Sequence, residues 1–561
     1  MFLLIKNIKN LRLIALVYLS ILTSCGQKVP SPKGNNNERP NIILIMSDDM
    51  GYSDLGCYGG EIDTPNLDAL ANNGLRFTQF YNGARCCPTR ASLISGCYPH
   101  QTGIGHMTNP HNSDEYDYGV PEYRGFLSKN NVTIAEVLKD AGYTTLMTGK
   151  WHLGDANKSQ WPLQRGFDKY YGILEGASNY FKPKYPRGIT FMNDTITEKA
   201  KDYYTTDAFT DYAIKFIDDS KQEDKEKPFF LYLAYTAPHW PIQAPQKIVE
   251  KYKGKYLEGW TKLRETRYAR MKALGVIDEN WELTSQDSRD WNSLSDEQKI
   301  EMDTRRAIYS AMVDRMDQNI GNLVNHLKTQ NMFDNTLIIF LNDNGACAEF
   351  SELGSGNPNH LETKKAYNAL SYGRAWANAS NTPYKEYKHW THEGGIGTPF
   401  IVHWPKMISK ENQGKIISEY GFLPDIMASC VDVAQTNYPK AYEGNTIVPA
   451  SGKSLVPLFK GENKQIHNEP IFWEHEGNKA VRLGKYKLVS KWEKEKETNW
   501  ELYDMETDRT EMHNLANVRR EKVDELRSMY DHWEKEKSVF AYSEVLKIRA
   551  EKKKNRNKNK K

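Results

Sequence analysis

The chain has 561 residues, 39% of them hydrophobic and 26% charged, a globular composition that excludes a wholly disordered chain. Its formal net charge is +3, and the first 24 residues hold three basic and no acidic side chains, so the remainder is neutral and gives no electrostatic footprint for a nucleic-acid partner. Seven cysteines are too few for disulfides to frame a fold of this length.

In chain order, the first segment joins Lys6, Lys9 and Arg12 to a short apolar run and small residues before Cys25, the pattern of a cleavable export signal. The run is too short for a membrane span. Leu22 to Cys25, "LTSC", resembles the bacterial lipobox, in which the cysteine becomes the lipidated first residue; an ordinary secretory signal is the alternative. Residues 26–39 are polar and rich in Pro, Gly and Asn, as suits a flexible tether. Four uninterrupted apolar runs then read as strands buried on both faces: "PNIILIMSDDMG" from Pro40, "TTLMTGKWHLG" from Thr144, "KPFFLYLAYTAPHWP" from Lys227 and "NTLIIFLNDNG" from Asn335. Helical patterns such as "TIAEVLKDAG" and Ala307–Gln330 lie between them, which predicts an α/β fold with a mostly parallel sheet. Residues 251–300 are charged and Trp-rich and read as a helical excursion near the pocket, without chemistry. After about residue 465 short strand patterns and a helix predict a small C-terminal α+β subdomain, and the last ten residues, with seven positive charges, predict a solvated, disordered tail. Cys347 and Cys430 are expected as buried apolar side chains.

Ligands of open parallel sheets bind outside the carboxyl ends of the strands, and each apolar run ends there in polar residues. Asp48, Asp49, Asp343 and Asn344 supply hard oxygen donors suited to Ca²⁺ or Mg²⁺. Arg90, Lys150, His152, His239 and Lys388 would converge into a pocket for a tetrahedral anion. In "RCCPTRASLISG", Pro88 suits a first helical turn and Gly96 a stop, so the cysteines sit at a helix N-terminus, where a thiol is acidified and could act simply as a thiolate.

"CCPTRASLISG" resembles the signature of the type I sulfatases, Cys-x-Pro-x-Arg, and "SDDMGYSDLGCYGG", "TGKWHLG", "APHWP", "LNDNG" and "YKHWTHEGGIGTPF" are similar to further elements of that family, closest to bacterial arylsulfatase-like members. The resemblance implies the alkaline-phosphatase-like fold and covers most of the mature chain. By its spacing to Pro88 and Arg90 it selects Cys86, not Cys87, as the residue oxidised to formylglycine (3-oxoalanine) by a maturation enzyme. It implies one Ca²⁺ on Asp48, Asp49, Asp343, Asn344 and the converted Cys86. The aldehyde would be hydrated to a geminal diol, one oxygen of which, activated by the metal and Arg90, attacks sulfur. Lys150, His239 and Lys388 would hold sulfate oxygens or protonate the leaving alcohol, and His152 would take the proton whose loss expels sulfate. One departure, Gly397 where many relatives carry a basic residue, bears on substrate contacts.

The resulting expectation is an exported sulfatase acting on aryl sulfates and sulfated carbohydrates. Its parts are a signal (1–24), a tether (25–39), a catalytic domain (40–464), a C-terminal subdomain (465–545) and a basic tail (546–561). It would reside in a bacterial cell envelope, as a periplasmic or outer-membrane lipoprotein held only by lipid on Cys25. A phosphomonoester or phosphonate hydrolase on the same fold and a non-catalytic glycan binder are the competing readings. Trp151, Trp240, Trp390 and Tyr180 are candidates for stacking on sugar or aryl rings, or for core packing; His100, His106 and His475 are candidate substrate contacts.

Overall fold

The computed structural model describes residues 39–108, 116–184, 187–198, 200–359 and 369–559. The expected signal, Cys25 and nearly all of the tether lie outside them. Among the described residues no helix is long and apolar enough to cross a membrane.

The main sheet is built from β1 (Asn41–Ser47), β2 (Leu75–Tyr81), β3 (Thr144–Lys150), β4 (Lys169–Ile173), β5 (Ile189–Phe191), β6 (Asp194–Ile196), β7 (Phe229–Ala234), β8 (Thr336–Asn342), β9 (Gly397–His403), β10 (Ile416–Ile417) and β11 (Gly421–Phe422). Its order is β10-β2-β9-β8-β1-β7-β3-β4-β5-β6, with β11 also on β2. All four apolar runs of the sequence are adjacent central strands, β8-β1-β7-β3, and all are parallel. β9 is antiparallel to both β8 and β2, which makes the sheet mixed.

The absence of alternation in these runs has a direct cause. Ile43 and Ile45 of β1 enter one apolar cluster while Ile42, Leu44 and Met46 enter another, so successive side chains meet a core on each face. Helices α1 (Cys86–Ser95), α2 (Ile134–Asp140), α3 (Thr205–Glu223), α4 (Asp296–Thr329) and α5 (Pro424–Val433) supply the covers. α3 and α4 pack on the first face, and α1, α2 and α5 on the second. The long helix starts at Asp296, earlier than its apolar period, because Ser295 and Gln298 form a reciprocal cap on its polar first turns.

β14 to β17 form the expected C-terminal sheet; with the hairpin strands β12 (Ala441–Tyr442) and β13 (Asn445–Thr446) before them, they span Ile471–His475, Asn478–Leu483, Tyr486–Ser490 and Glu501–Asp504, antiparallel throughout. Helix α6 (Arg520–Glu536) lays Leu526, Tyr530 and Trp533 on this sheet. A buried ionic knot joins it to the main domain. Glu393 takes Lys487 Nζ at 2.8 Å and Arg509 Nε at 2.6 Å, and Lys487 also meets Glu511 at 2.9 Å, all fully buried.

One expectation needs correction. The basic tail is not without structure: helix α7 (Tyr542–Asn559) runs into it, with Val545 and Ile548 packed beside Tyr118 and Tyr123. The excursion at 251–300 is helical over Gly259–Ala273, as expected, and it is structural: its Arg267 clamps Asp54 at 2.8 Å and Glu61 at 2.7 Å under the loop after β1.

Candidate active site

The register of β1 on β8 pairs Ser47 with Asn342, so the residues that follow, Asp48–Asp49 and Asp343–Asn344, leave the sheet side by side. Asp49 turns with φ of 65°, and its backbone N–H donates to Asp343 Oδ1 at 3.2 Å. Asn344 Nδ2 donates to Asp49 Oδ1 at 2.7 Å.

The cations arrive from four other segments. Lys150, at the end of β3, donates to Asp48 Oδ2 at 2.7 Å. Arg90, on α1, makes two contacts to Asp343 Oδ2, at 2.7 and 3.2 Å, and one to the Lys150 carbonyl at 3.2 Å. Lys388 meets Asp49 at 2.8 Å and His239 Nε2 at 3.4 Å. His239 follows β7 and gives its Nδ1–H to the Trp240 carbonyl at 2.6 Å, so Nε2 keeps its lone pair toward Lys388. His152 Nε2 lies 3.2 Å from the Thr108 carbonyl.

Cys86 opens α1, one residue beyond Arg85 and earlier than Pro88 alone suggests, and Gly96 closes the helix in a left-handed conformation at φ of 72°. Both thiols are fully buried. They are electrostatically opposite. A hydrogen bond from the Cys87 thiol, then Lys150, His152 and Lys388, hold Cys86 well below the usual thiol range against its burial. Burial, with the neighbouring Cys86, pushes Cys87 up, although the Thr108 N–H points at its sulfur from 3.3 Å.

The oxygen donors also differ. Burial raises Asp48 well above the carboxylate range, helped by Asp343 and opposed by Lys150 and Arg90. Burial acts against ionised Asp49 too, but Lys388 and His239 outweigh it and hold that carboxyl low. Burial drives His239 down to about 3, so it is a neutral imidazole at physiological pH.

A hard divalent cation fits these residues. Asp48 Oδ1 and Asn344 Oδ1 are buried with no hydrogen-bond partner, a costly state that a metal would relieve, and every donor of the group is oxygen. The charge balance agrees: with Asp48 ionised by the cation, Asp48, Asp49 and Asp343 would offset Lys150, Arg90 and Lys388, so a dication would leave the pocket positive and ready for an anion.

All the core residues expected from the sequence therefore meet at one end of the sheet. The proposed substrate contacts fare unevenly. Trp151 is a core side chain, edge-on to Phe167 with its N–H on the Gln160 carbonyl. Tyr180 is buried and donates to the carbonyls of Thr236 and His239, which braces the histidine segment. His100 is locked to Glu474 at 2.8 Å, and His106 stacks on Tyr118. Trp240 and Trp390 are half-buried beside His239 and His389, and His475 lies 5.2 Å from His389, ring to ring. Gly397, the departure from the family pattern, sits in the ionic seam, where a Cβ would lie 2.8 Å from the Glu393 carbonyl and 3.5 Å from Arg509.

Sequence reasoning missed Glu349. It takes Arg85 at 2.8 Å and the Trp240 indole N–H at 2.7 Å, and the cations Lys388 and Arg85 hold its carboxyl far below the usual range despite burial. Its position six residues after Asp343 was the only signal.

The family model described as "Sulfatase" matches residues 40–436, and the model "N-sulphoglucosamine sulphohydrolase, C-terminal" matches 385–536. An uncharacterized sulfatase of Schizosaccharomyces pombe is 35% identical over 537 residues, covering 90% of this chain and 95% of that protein. An arylsulfatase of Klebsiella aerogenes is 35% identical over 442 residues, 75% and 92% of the two chains. A crystal structure of Ps i-CgsB in complex with k-i-k-neocarrahexaose superposes with a TM-score of 0.64 at 26% identity, covering 88% of this chain and 92% of that one. The chain belongs to the sulfatase family and is a sulfuric ester hydrolase on the alkaline-phosphatase-like α/β fold.

Proposed function

We propose that this is an exported, formylglycine-dependent, Ca²⁺-containing sulfatase whose natural substrates are sulfated carbohydrates, with simple aryl sulfates as accepted analogues. The observation that carries the reading is Cys86 itself: a fully buried thiol at a helix N-terminus, with Lys150, His152 and Lys388 acting on it, while the adjacent Cys87 is drawn toward Thr108 and His106. Formylglycine would supply an oxygen nucleophile in place of the sulfur, and Ca²⁺ on Asp48, Asp49, Asp343 and Asn344 a hard Lewis acid beside it.

The chain's own residues do the rest. Lys150 and Lys388 hold sulfate oxygens by charge-assisted hydrogen bonds. Arg90 spends its fork on Asp343 and the Lys150 carbonyl, so it fixes the acidic wall and the lysine together. Lys388 keeps a proton on Nζ facing His239 Nε2, the point from which a leaving alkoxide is neutralised. Burial keeps His152 neutral; with Nε2–H on the Thr108 carbonyl its Nδ1 lone pair is free to take a proton.

The carbohydrate reading rests on similarity to Ps i-CgsB, solved in complex with k-i-k-neocarrahexaose, and on the half-buried Trp240 beside His239. A maturation enzyme that oxidises Cys86 is the protein partner, and lipid on Cys25 the membrane attachment, in a periplasmic or outer-membrane location. Cys86→Ala should abolish aryl sulfate hydrolysis and Cys87→Ala should retain a substantial part, with peptide mass showing sulfur lost and oxygen gained at Cys86. Equal loss in both variants, with unmodified Cys86 in active enzyme, refutes the assignment.

A further inference from the structure

We propose that the cysteine form of this chain, before any oxidation of Cys86, holds one soft d¹⁰ cation, Cu⁺, between Cys86, Cys87, Met107 and His152. The two thiol sulfurs and a ring nitrogen of His152 all lie within 4.8 Å of one another. Met107 completes the group, its Sδ standing 3.9 Å from Cys86 Sγ and 3.6 Å from Cys87 Sγ. A tetrahedral ion about 2.3 Å from each sulfur requires sulfur–sulfur edges of about 3.8 Å. Both measured edges bracket that value.

The histidine gives an independent sign of a missing ligand. His152 Nε2 has the Thr108 carbonyl as its partner, while Nδ1 is buried with no well-formed hydrogen bond and only the Cys86 sulfur to interact with, in a side chain only 3% exposed. A histidine anchored through one nitrogen with the other turned to a sulfur is the arrangement of a metal-ligating imidazole. The Thr108 N–H also points at Cys87 Sγ, at 3.3 Å, a donor that a metal-bound thiolate would keep.

The donor set decides the ion. Two thiols, a thioether and an imidazole favour a soft cation, and the thioether points to Cu⁺ ahead of Zn²⁺. The oxygen cluster of Asp48, Asp49, Asp343 and Asn344 is hard, so the two neighbouring sites sort ions by chemistry. No redox step is involved: both sulfurs bond Cu⁺ as thiolates, and the one proton that the pair still carries, on Cys87, leaves to solvent. Once Cys86 has lost its sulfur the set is broken. The binding does not depend on the proposed maturation; its consequence, that the loaded form withholds the Cys86 sulfur from oxidation, does.

The test uses the full chain in its cysteine form, verified by peptide mass and kept anaerobic with Ca²⁺ saturating. Titration against the coloured Cu⁺–bicinchoninate complex should withdraw one equivalent of Cu⁺ and release about one proton per chain. Cys87→Ala and the near-isosteric Met107→Leu, each confirmed folded by circular dichroism, should weaken binding by at least the ~10–100-fold that loss of an outer-shell partner costs. Asp343→Asn should keep the Cu⁺ affinity. No withdrawal by the wild type, unchanged affinity in a folded Met107→Leu, loss in a folded Asp343→Asn, or loss on Cys25→Ser instead would each overturn the site. Aryl sulfate turnover of matured protein reads the sulfatase mechanism separately.

Discussion

Replacing Glu393 by Gln should destabilise the packing of the C-terminal sheet against the rest of the chain by about 3 kcal/mol. Lys487 and Arg509 hold the Glu393 carboxyl down to about 2 against its burial, from an ordinary value of 4.5. A depression of that size corresponds to about 3 kcal/mol at 1.36 kcal/mol per pH unit. Removing one partner of a buried pair costs about 3–5 kcal/mol by a separate route, because Arg509 would lose its carboxylate and Lys487 would keep only Glu511. The sign follows from the depressed pKa: the contribution is complete above pH 4.5 and fades as pH falls toward 2, so Glu393→Gln should differ from wild type most at neutral pH and progressively less below 4.5. Urea unfolding at pH 7 and at pH 4, with hydrogen exchange on β14 to β17 to locate the opening, measures this. A neutral-pH difference under 1 kcal/mol, or one that grows on acidification, refutes the argument.

Asp48→Ala and Asp343→Ala should each remove bound Ca²⁺ and most activity, since each takes one carboxylate from a hard-ion shell; metal analysis is the direct check, and stoichiometric Zn²⁺ in the wild type would turn the reading toward phosphatase chemistry. Cys25→Ala should move the protein from the membrane fraction into the soluble one, because stable anchoring needs the several acyl chains of a lipoprotein; a wild type already soluble after gentle lysis refutes the anchor. A panel of defined sulfated oligosaccharides read by sulfate release should contain substrates turned over with greater selectivity than an aryl sulfate; turnover of the aryl ester alone defeats the carbohydrate reading.

What the sequence disclosed follows from where each signal resides. β1, β3, β7 and β8 are legible because a strand covered on both faces has no polar alternation, and the chemistry of Asp48, Lys150, His239 and Asp343 is legible because it follows such strands directly. Edge strands β10 and β11 have two residues each and leave no period to read. Glu349, Met107 and Thr108 come from loops whose approach to Cys86 is a tertiary event. Trp151, Tyr180 and His100 show the converse: adjacency to motif residues in sequence says nothing of which way a side chain faces. The tail was misread because its charge speaks for solvation, while the packing of Val545 and Ile548 on the Tyr118 loop starts a helix that carries the basic residues with it.

The pairing of β1 with β8 has a bearing on how the molecule is assembled. Side chains alternate with a period of two, so a slip of one residue between these strands would exchange the two cores and also part Asp48–Asp49 from Asp343–Asn344. A hard cation that needs all four oxygens can therefore bind only the chain whose sheet is correctly aligned. Such an ion would draw the folding equilibrium toward that alignment by mass action, so the cation proposed for this site would proofread strand register during refolding before it served any substrate.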